Sequence, residues 1–154
     1  MKSPERAKEV ISRCLYMSLA TVSEQGNPGN APVFFAYDDK YCFYWGSYKD
    51  AQHSKNIRQN GKTYFVIYDS TVPAGSGKGV YVQADAKELS DKDEITLAHK
   101  LLWDRHTVPY WMIEQFFDNA PIRIYKAVPQ KIWINGEEKV CGHYVDTREE
   151  VHLI

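Results

Sequence analysis

Two short stretches of this sequence carry residue types that could hold a phosphate. One is Ala74-Gly75-Ser76-Gly77-Lys78-Gly79, a lysine set among glycines. The other runs from Ser47 through Lys49 to His53 and Ser54, side-chain donors spread over a strand end and the turn after it. A nucleotide-binding P-loop needs glycine, four residues, Gly-Lys and then Ser or Thr, set between a strand and a helix. Here Val72 stands at the first glycine position, Gly79 at the hydroxyl position, and Val80-Tyr81-Val82 continues as a strand. The run therefore reads as a hairpin loop. The second stretch has better physics for an anion. It leads into a short helix, whose first amides lack intrahelical acceptors and whose dipole is positive at that end.

The other chemically capable residues form no recognisable constellation. His99 and His106 have no third ligand near them in sequence, and zinc wants three or four, so no metal site is expected. No Ser-His-Asp or Cys-His signature is readable, and no side chain is assigned as acid or base. Asp38, Asp39, Glu137 and Glu138 read as solvated turn acids. Trp103, Tyr110, Trp111, Phe116 and Phe117 read as an aromatic core or a dimer cap. Cys42 reads as a small buried hydrophobe in mid-strand.

The elements that must position these residues follow from periodicity. Ser3-Pro4-Glu5 opens a helix whose stripe is Ala7, Val10, Ile11, Cys14 and Leu15. "YMSLATV" (16–22), "APVFFAY" (31–37) and "YCFYWGS" (41–47) read as strands, with a turn over 23–30 and a hairpin loop at Asp38-Asp39-Lys40. The helix over 50–60 takes Asp50 as its cap and Gly61 as its stop. Strands over 62–68 and 79–89 flank the glycine run, and Ser90-Asp91-Lys92-Asp93 caps a helix over 94–104. Pro109 starts a short aromatic helix, strands follow over 121–135, and Asn135-Gly136 signals a turn. The tail 137–154 is polar enough to be only partly ordered. About six antiparallel strands with a few helices predict a mainly β barrel with peripheral helices.

Composition sets the outer limits. The 154 residues are 44% apolar and 25% charged, which fits a single folded domain over 1–154. A net charge of −1 gives no general attraction to nucleic acid. No run approaches the ~20 apolar residues of a membrane span, and the N-terminus shows no signal-peptide core. Three separated cysteines without a CxxC pair suit a reducing, cytoplasmic setting. Eleven tyrosines and four tryptophans exceed what a small core needs, so part of them is available to a flat ligand or a subunit interface.

The stretch "YMSLATVSEQGNPGNAPVFFAYDDKYCFYWGSYKDAQHSKNI", followed by "VIYDST" and "GVYVQADAKEL", resembles the pyridoxamine 5′-phosphate oxidase-like FMN-binding split-barrel family. The resemblance covers roughly residues 10–150, and the tail "KIWINGEEKVCGHYVDTREEV" resembles one uncharacterised branch. It implies a six-stranded antiparallel split β-barrel and a homodimer with FMN in clefts between subunits. Asn30, Pro32 and Val33 would then run along the flavin ring, and Trp45, Gly46 and Ser47 along its ribityl chain. Ser47, Gln52, His53 and Ser54 would hold the phosphate. Lys78 and Gly79 would border the ring, with glycine admitting a close backbone approach.

This chain departs from the family pattern in two places. Residues 30–36, where relatives carry arginine and lysine for the phosphate, read Asn-Ala-Pro-Val-Phe-Phe-Ala. Nothing near Val128-Pro129 matches the segment that grips pyridoxal phosphate, so oxidation of pyridoxamine phosphate is not expected. The resemblance implies an FMN-dependent oxidoreductase of a small substrate. Its rivals are a non-catalytic holder of flavin or haem, a ligand-free structural dimer, and a deazaflavin-dependent reductase.

Overall fold

The computed structural model describes residues 2–154. Its elements are α1 (Ser3–Arg13), β1 (Tyr16–Val22), β2 (Pro28–Phe34), β3 (Ala36–Tyr37), β4 (Phe43–Tyr48), α2 (Gln52–Asn60), β5 (Lys62–Tyr68), β6 (Gly79–Glu88), α3 (Lys92–Arg105), a single 3-10 turn (Ile113–Phe116), β7 (Ile122–Val140) and β8 (His143–Glu150). β1 and β5 bury alternate residues, as strands covered on one face must. β4 buries Phe43, Tyr44 and Trp45 in succession, because it is covered on both faces.

All strands belong to one antiparallel sheet in the order β2-β1-β5-β6-β7-β4-β3, with β8 added to β7. The end strands β2 and β3 share no ladder, yet only Phe35 separates them in the chain. The sheet therefore curls until its two edges meet at one continuous segment, a barrel split along that seam. The expected mainly β split barrel with peripheral helices is the fold observed. Eight strands replace the expected six because β3 continues the line of β2 past Phe35 and the tail supplies β8.

Inside the barrel, Phe43, Trp45, Phe65, Leu19 and Val82 are fully buried in one cluster that Ile11 of α1 and Ile57 of α2 join. Burying each such side chain contributes about 1.5–3 kcal/mol. A second cluster lies outside, where Tyr44, Ile124 and Leu89 meet Ile95, Ala98 and Leu102 of α3 and Phe116. α3 begins at Asp91, whose carboxylate accepts from the Asp93 and Glu94 amides. α2 begins at Ala51 without a side-chain cap, so Asp50 does not play the role expected of it. It ends at Gly61, in the left-handed region at φ 62°.

The segment after Gly136 takes a different form from the polar tail expected. β7 runs straight through Asn135-Gly136, and the hairpin reverses at Cys141-Gly142, where φ is 49° and 85°. Two consecutive positive φ values are what a type I′ turn requires. Asn135 and Gly136 stay in register opposite Arg148 and Thr147, neither taking the positive φ such a turn needs, and the Asn135 side chain accepts from the Gly79 amide at 2.7 Å. Past β8, Val151 and Leu153 are buried in the barrel core. The aromatic helix expected from Pro109 is also shorter, reduced to the 3-10 turn.

Candidate functional site

β4 ends where α2 is about to begin, and this junction assembles a cavity. Ser47, at the end of β4, is buried, and its hydroxyl lies 2.8 Å from Nε2 of His53 in the first turn of α2. Burial pushes the His53 imidazole below its ordinary pKa, which favours its neutral form. Around this pair opens a cavity of about 420 Å³, lined by Pro32, Val33 and Phe34 from β2, Gly46 and Ser47 from β4, and His53. Tyr16, His106, Pro109, Tyr110, Trp111 and Gln115 complete it.

The segment between α3 and β7 forms the aromatic wall. The Tyr110 and Trp111 side chains lie directly over Gly46, where a Cβ would stand 2.3 Å from the Tyr110 hydroxyl and 3.0 Å from the Trp111 ring. Burial pushes the Tyr110 phenol well above its ordinary pKa, against a hydrogen bond from the Gly46 backbone. His106 stacks edge-on to Phe34 with centroids 4.5 Å apart, and its Nδ1 lies 2.7 Å from the Val108 carbonyl. His99 anchors the wall from α3 through Nε2, 2.7 Å from the Trp111 carbonyl.

The structure thus brings Pro32, Val33, Gly46, Ser47 and His53 together at one cavity. The remaining expected residues lie elsewhere within the single chain. Trp45 points into the barrel, stacked on Tyr125 at 5.7 Å, because strand alternation turns it away from the Gly46 side. Ser54 is fully buried and donates to the Tyr48 carbonyl at 2.8 Å, tying helix to strand. Gln52 donates to Asn56, which in turn donates to the buried Thr21 hydroxyl. Asn30 accepts from Ser18 on the outer sheet face, beside the cavity and not in it.

Lys78 and Gly79 border another depression, with Val66, Tyr68, Tyr81 and Asn135. Three strand spacings, about 14 Å, separate β6 from β2. Missing from the sequence reading of the cavity were Tyr16, Phe34, His106, Pro109 and Gln115. Tyr110 and Trp111, expected as aromatic core or dimer cap, do pack against the α3 cluster and in addition wall the cavity. No local spacing links 106–115 to β4, since the join is made only by packing across Gly46. Among the described residues no cluster of three or more His, Cys, Asp or Glu could hold a metal, and no helix is long and apolar enough to cross a membrane.

A family model described as pyridoxamine 5′-phosphate oxidase matches residues 3–135, most of the chain. The chain belongs to that family. This member's fold is also that of several solved structures. Over 86% of this chain and 94% of the other, it is similar to HutZ, the haem-storage protein of Vibrio cholerae, at TM-score 0.72 and 18% identity. A haem-binding protein of Mycobacterium smegmatis matches 96% of this chain at TM-score 0.72 and 15% identity, with this chain spanning 58% of that one. An F420 reductase matches at TM-score 0.62 and 22% identity, over 81% of this chain and 94% of the other. No curated protein matches the chain.

Proposed function

We propose that this protein binds FMN in the β2–β4–α2 cavity and acts as a flavin-dependent oxidoreductase on a small molecule. The observation that carries the reading is the junction of an aromatic-walled cavity with the Ser47–His53 pair at the head of a nine-residue helix. Pro32, Val33, Tyr110 and Trp111 suit a flat ring, and a volume near 420 Å³ is within the range of cofactor sites. Ser47, His53 and the first amides of α2 suit the phosphate. Such a fit is to donors and walls, and it lacks the arginines and lysines that usually grip the group. The flavin would carry the redox chemistry, while these residues bind it, orient it and exclude water.

The same reading makes the protein a homodimer whose second copy closes the cavity. The outer face of β1, β5, β6 and β7 carries a row across the ladder, Ser18, Val66, Tyr81 and Trp133, which Pro32 extends to the cavity edge. Tyr16 and Tyr68 are more than half exposed on this face. A second copy laid over it would bring its own Lys78 and Gly79 toward the first cavity and supply a cation that one chain lacks. The working test is titration with FMN, free and in the dimer, alongside light scattering. A yellow dimer supports the reading, and a colourless monomer that ignores micromolar FMN refutes it.

A second reading, haem binding, is favoured by one detail. The Nδ1 of His106 is engaged by Val108, with the carbonyl at 2.7 Å and the amide at 3.3 Å, which orients the ring and leaves Nε2 for an iron. A Soret band on adding haemin, lost in His106→Ala, would support haem over flavin. The deazaflavin variant is separated by comparing F420 with FMN in the same titration.

A further inference from the structure

We propose that His53 is the residue by which this cavity tells a phosphate monoester from an uncharged ribityl end, by taking up a proton as the phosphate binds. The inference rests on the flavin reading above and adds a recognition rule to it. None of the described residues lining the cavity is Lys, Arg, Asp or Glu. A phosphate dianion entering it meets hydroxyls, amides and imidazoles, and a neutral donor gives about half the strength of a charged one.

The surrounding cations do not fill the gap. Arg123, opposite Ser47 on β7, spends its guanidinium on the carbonyls of Asp118, Ala120 and Ile122. Arg58, one turn further along α2, donates to the Lys49 carbonyl and pairs with Glu88. Lys49, Asp50 and Lys55 flank His53 in sequence without lining the cavity. From the facing elements come Tyr16 of β1, and His106 and Tyr110 of the aromatic wall. Among all these the imidazoles are those of His53 and His106, and His53 is the one at the helix head. Lys78, which would reach this cavity only from a second copy, lies 3.9 Å from the Glu137 carboxylate of its own chain.

The Ser47 contact makes the protonation productive. In the neutral form the Ser47 hydroxyl can donate to Nε2 of His53 across their 2.8 Å separation. Once the imidazole gains a proton from solvent, Nε2–H donates to Ser47, and the serine hydrogen is released to the ligand. One proton therefore converts the pair from an internally satisfied unit to one that presents a charge and an extra donor. Burial disfavours the charged imidazole in the free protein, so an anion bound beside it shifts the equilibrium toward proton uptake.

The test is to measure FMN and riboflavin dissociation constants by flavin fluorescence from pH 7.0 to 8.5, where the phosphate is already mostly a dianion, its second pKa being about 6. FMN is expected to weaken by up to about tenfold per pH unit, while riboflavin stays level. Calorimetry in two buffers of different ionisation enthalpy should show proton uptake with FMN and none with riboflavin. His53→Gln should flatten the FMN profile and bring it near riboflavin. His53→Lys should hold FMN tightly with a flat profile, and His106→Gln should keep the slope whatever its affinity. FMN binding that is level with pH in the wild type, or a slope that survives His53→Gln, overturns the inference while leaving the flavin reading intact. Failure of both flavins to bind removes the flavin reading and the inference with it.

Discussion

A methyl group at position 46 would have to displace either Tyr110 or Trp111, since it would sit 2.3 Å from one and 3.0 Å from the other. Glycine here is a matter of space, and the residue thereby fixes how closely the aromatic wall lies on β4. Gly46→Ala is expected to shift the near-ultraviolet circular dichroism of Trp111 and to weaken FMN roughly tenfold, about 1.4 kcal/mol. An unchanged spectrum would show that the wall does not rest on Gly46. His53 offers a second prediction, on the ligand-free protein. Its folded-state pKa lies below its unfolded value of about 6.5, so the unfolded chain takes up the proton first. The contribution to stability is present above pH 6.5 and is lost as pH falls from there toward the folded pKa. Urea midpoints from pH 7.5 to 5 should therefore decline less in His53→Gln than in the wild type.

At the scale of elements, α1 and α3 are joined by one side chain. Arg105, at the end of α3, donates to the carbonyls of Ile11 and Cys14 at 2.7 and 2.6 Å, and its guanidinium lies over the rings of Phe35 and Tyr37. It thereby satisfies the C-terminal carbonyls of α1 and complements its dipole. Arg105→Met should cost about 1.5–3 kcal/mol in urea unfolding, the scale of charge-assisted bonds lost from a partly buried site. Removal of the Leu153 side chain by Leu153→Ala should cost about 2–5 kcal/mol, because it is buried in the barrel. No sequence pattern announced either contact. The strands of β1, β5 and β6 were legible because one buried face imposes alternation, and Gly61 because a left-handed stop favours glycine. The end of β7 differs from the expected turn because Asn135 and Gly136 stay extended opposite β8, and the two consecutive positive φ values fall instead at Cys141 and Gly142. Likewise Ser47 and His53 were legible as donors at a helix head, whereas His106 and Tyr110 reach the cavity from a segment about sixty residues away.

The cavity lies at the margin of the aromatic outer face of β1, β5, β6 and β7. Tyr64 stacks near Trp133 with centroids 6.3 Å apart, and Arg148 lies 4.1 Å over the Tyr81 ring. Three strand spacings, about 14 Å, separate β6 from β2 within one chain, so in the proposed site Lys78 and Gly79 would come to the ring from a second copy laid over this face. Trp133→Asp is expected to yield monomers by light scattering and to lose FMN affinity in parallel. Monomers that bind FMN as tightly as the dimer would place the site wholly within one chain. The central claim, that this cavity is a flavin site, is tested most directly by the visible spectrum of the purified protein before and after adding FMN. Flavin bands that shift and sharpen, and that fail to do so in a Ser47→Ala, His53→Gln double variant, are the predicted result. A spectrum equal to that of free FMN at micromolar concentrations would contradict the account.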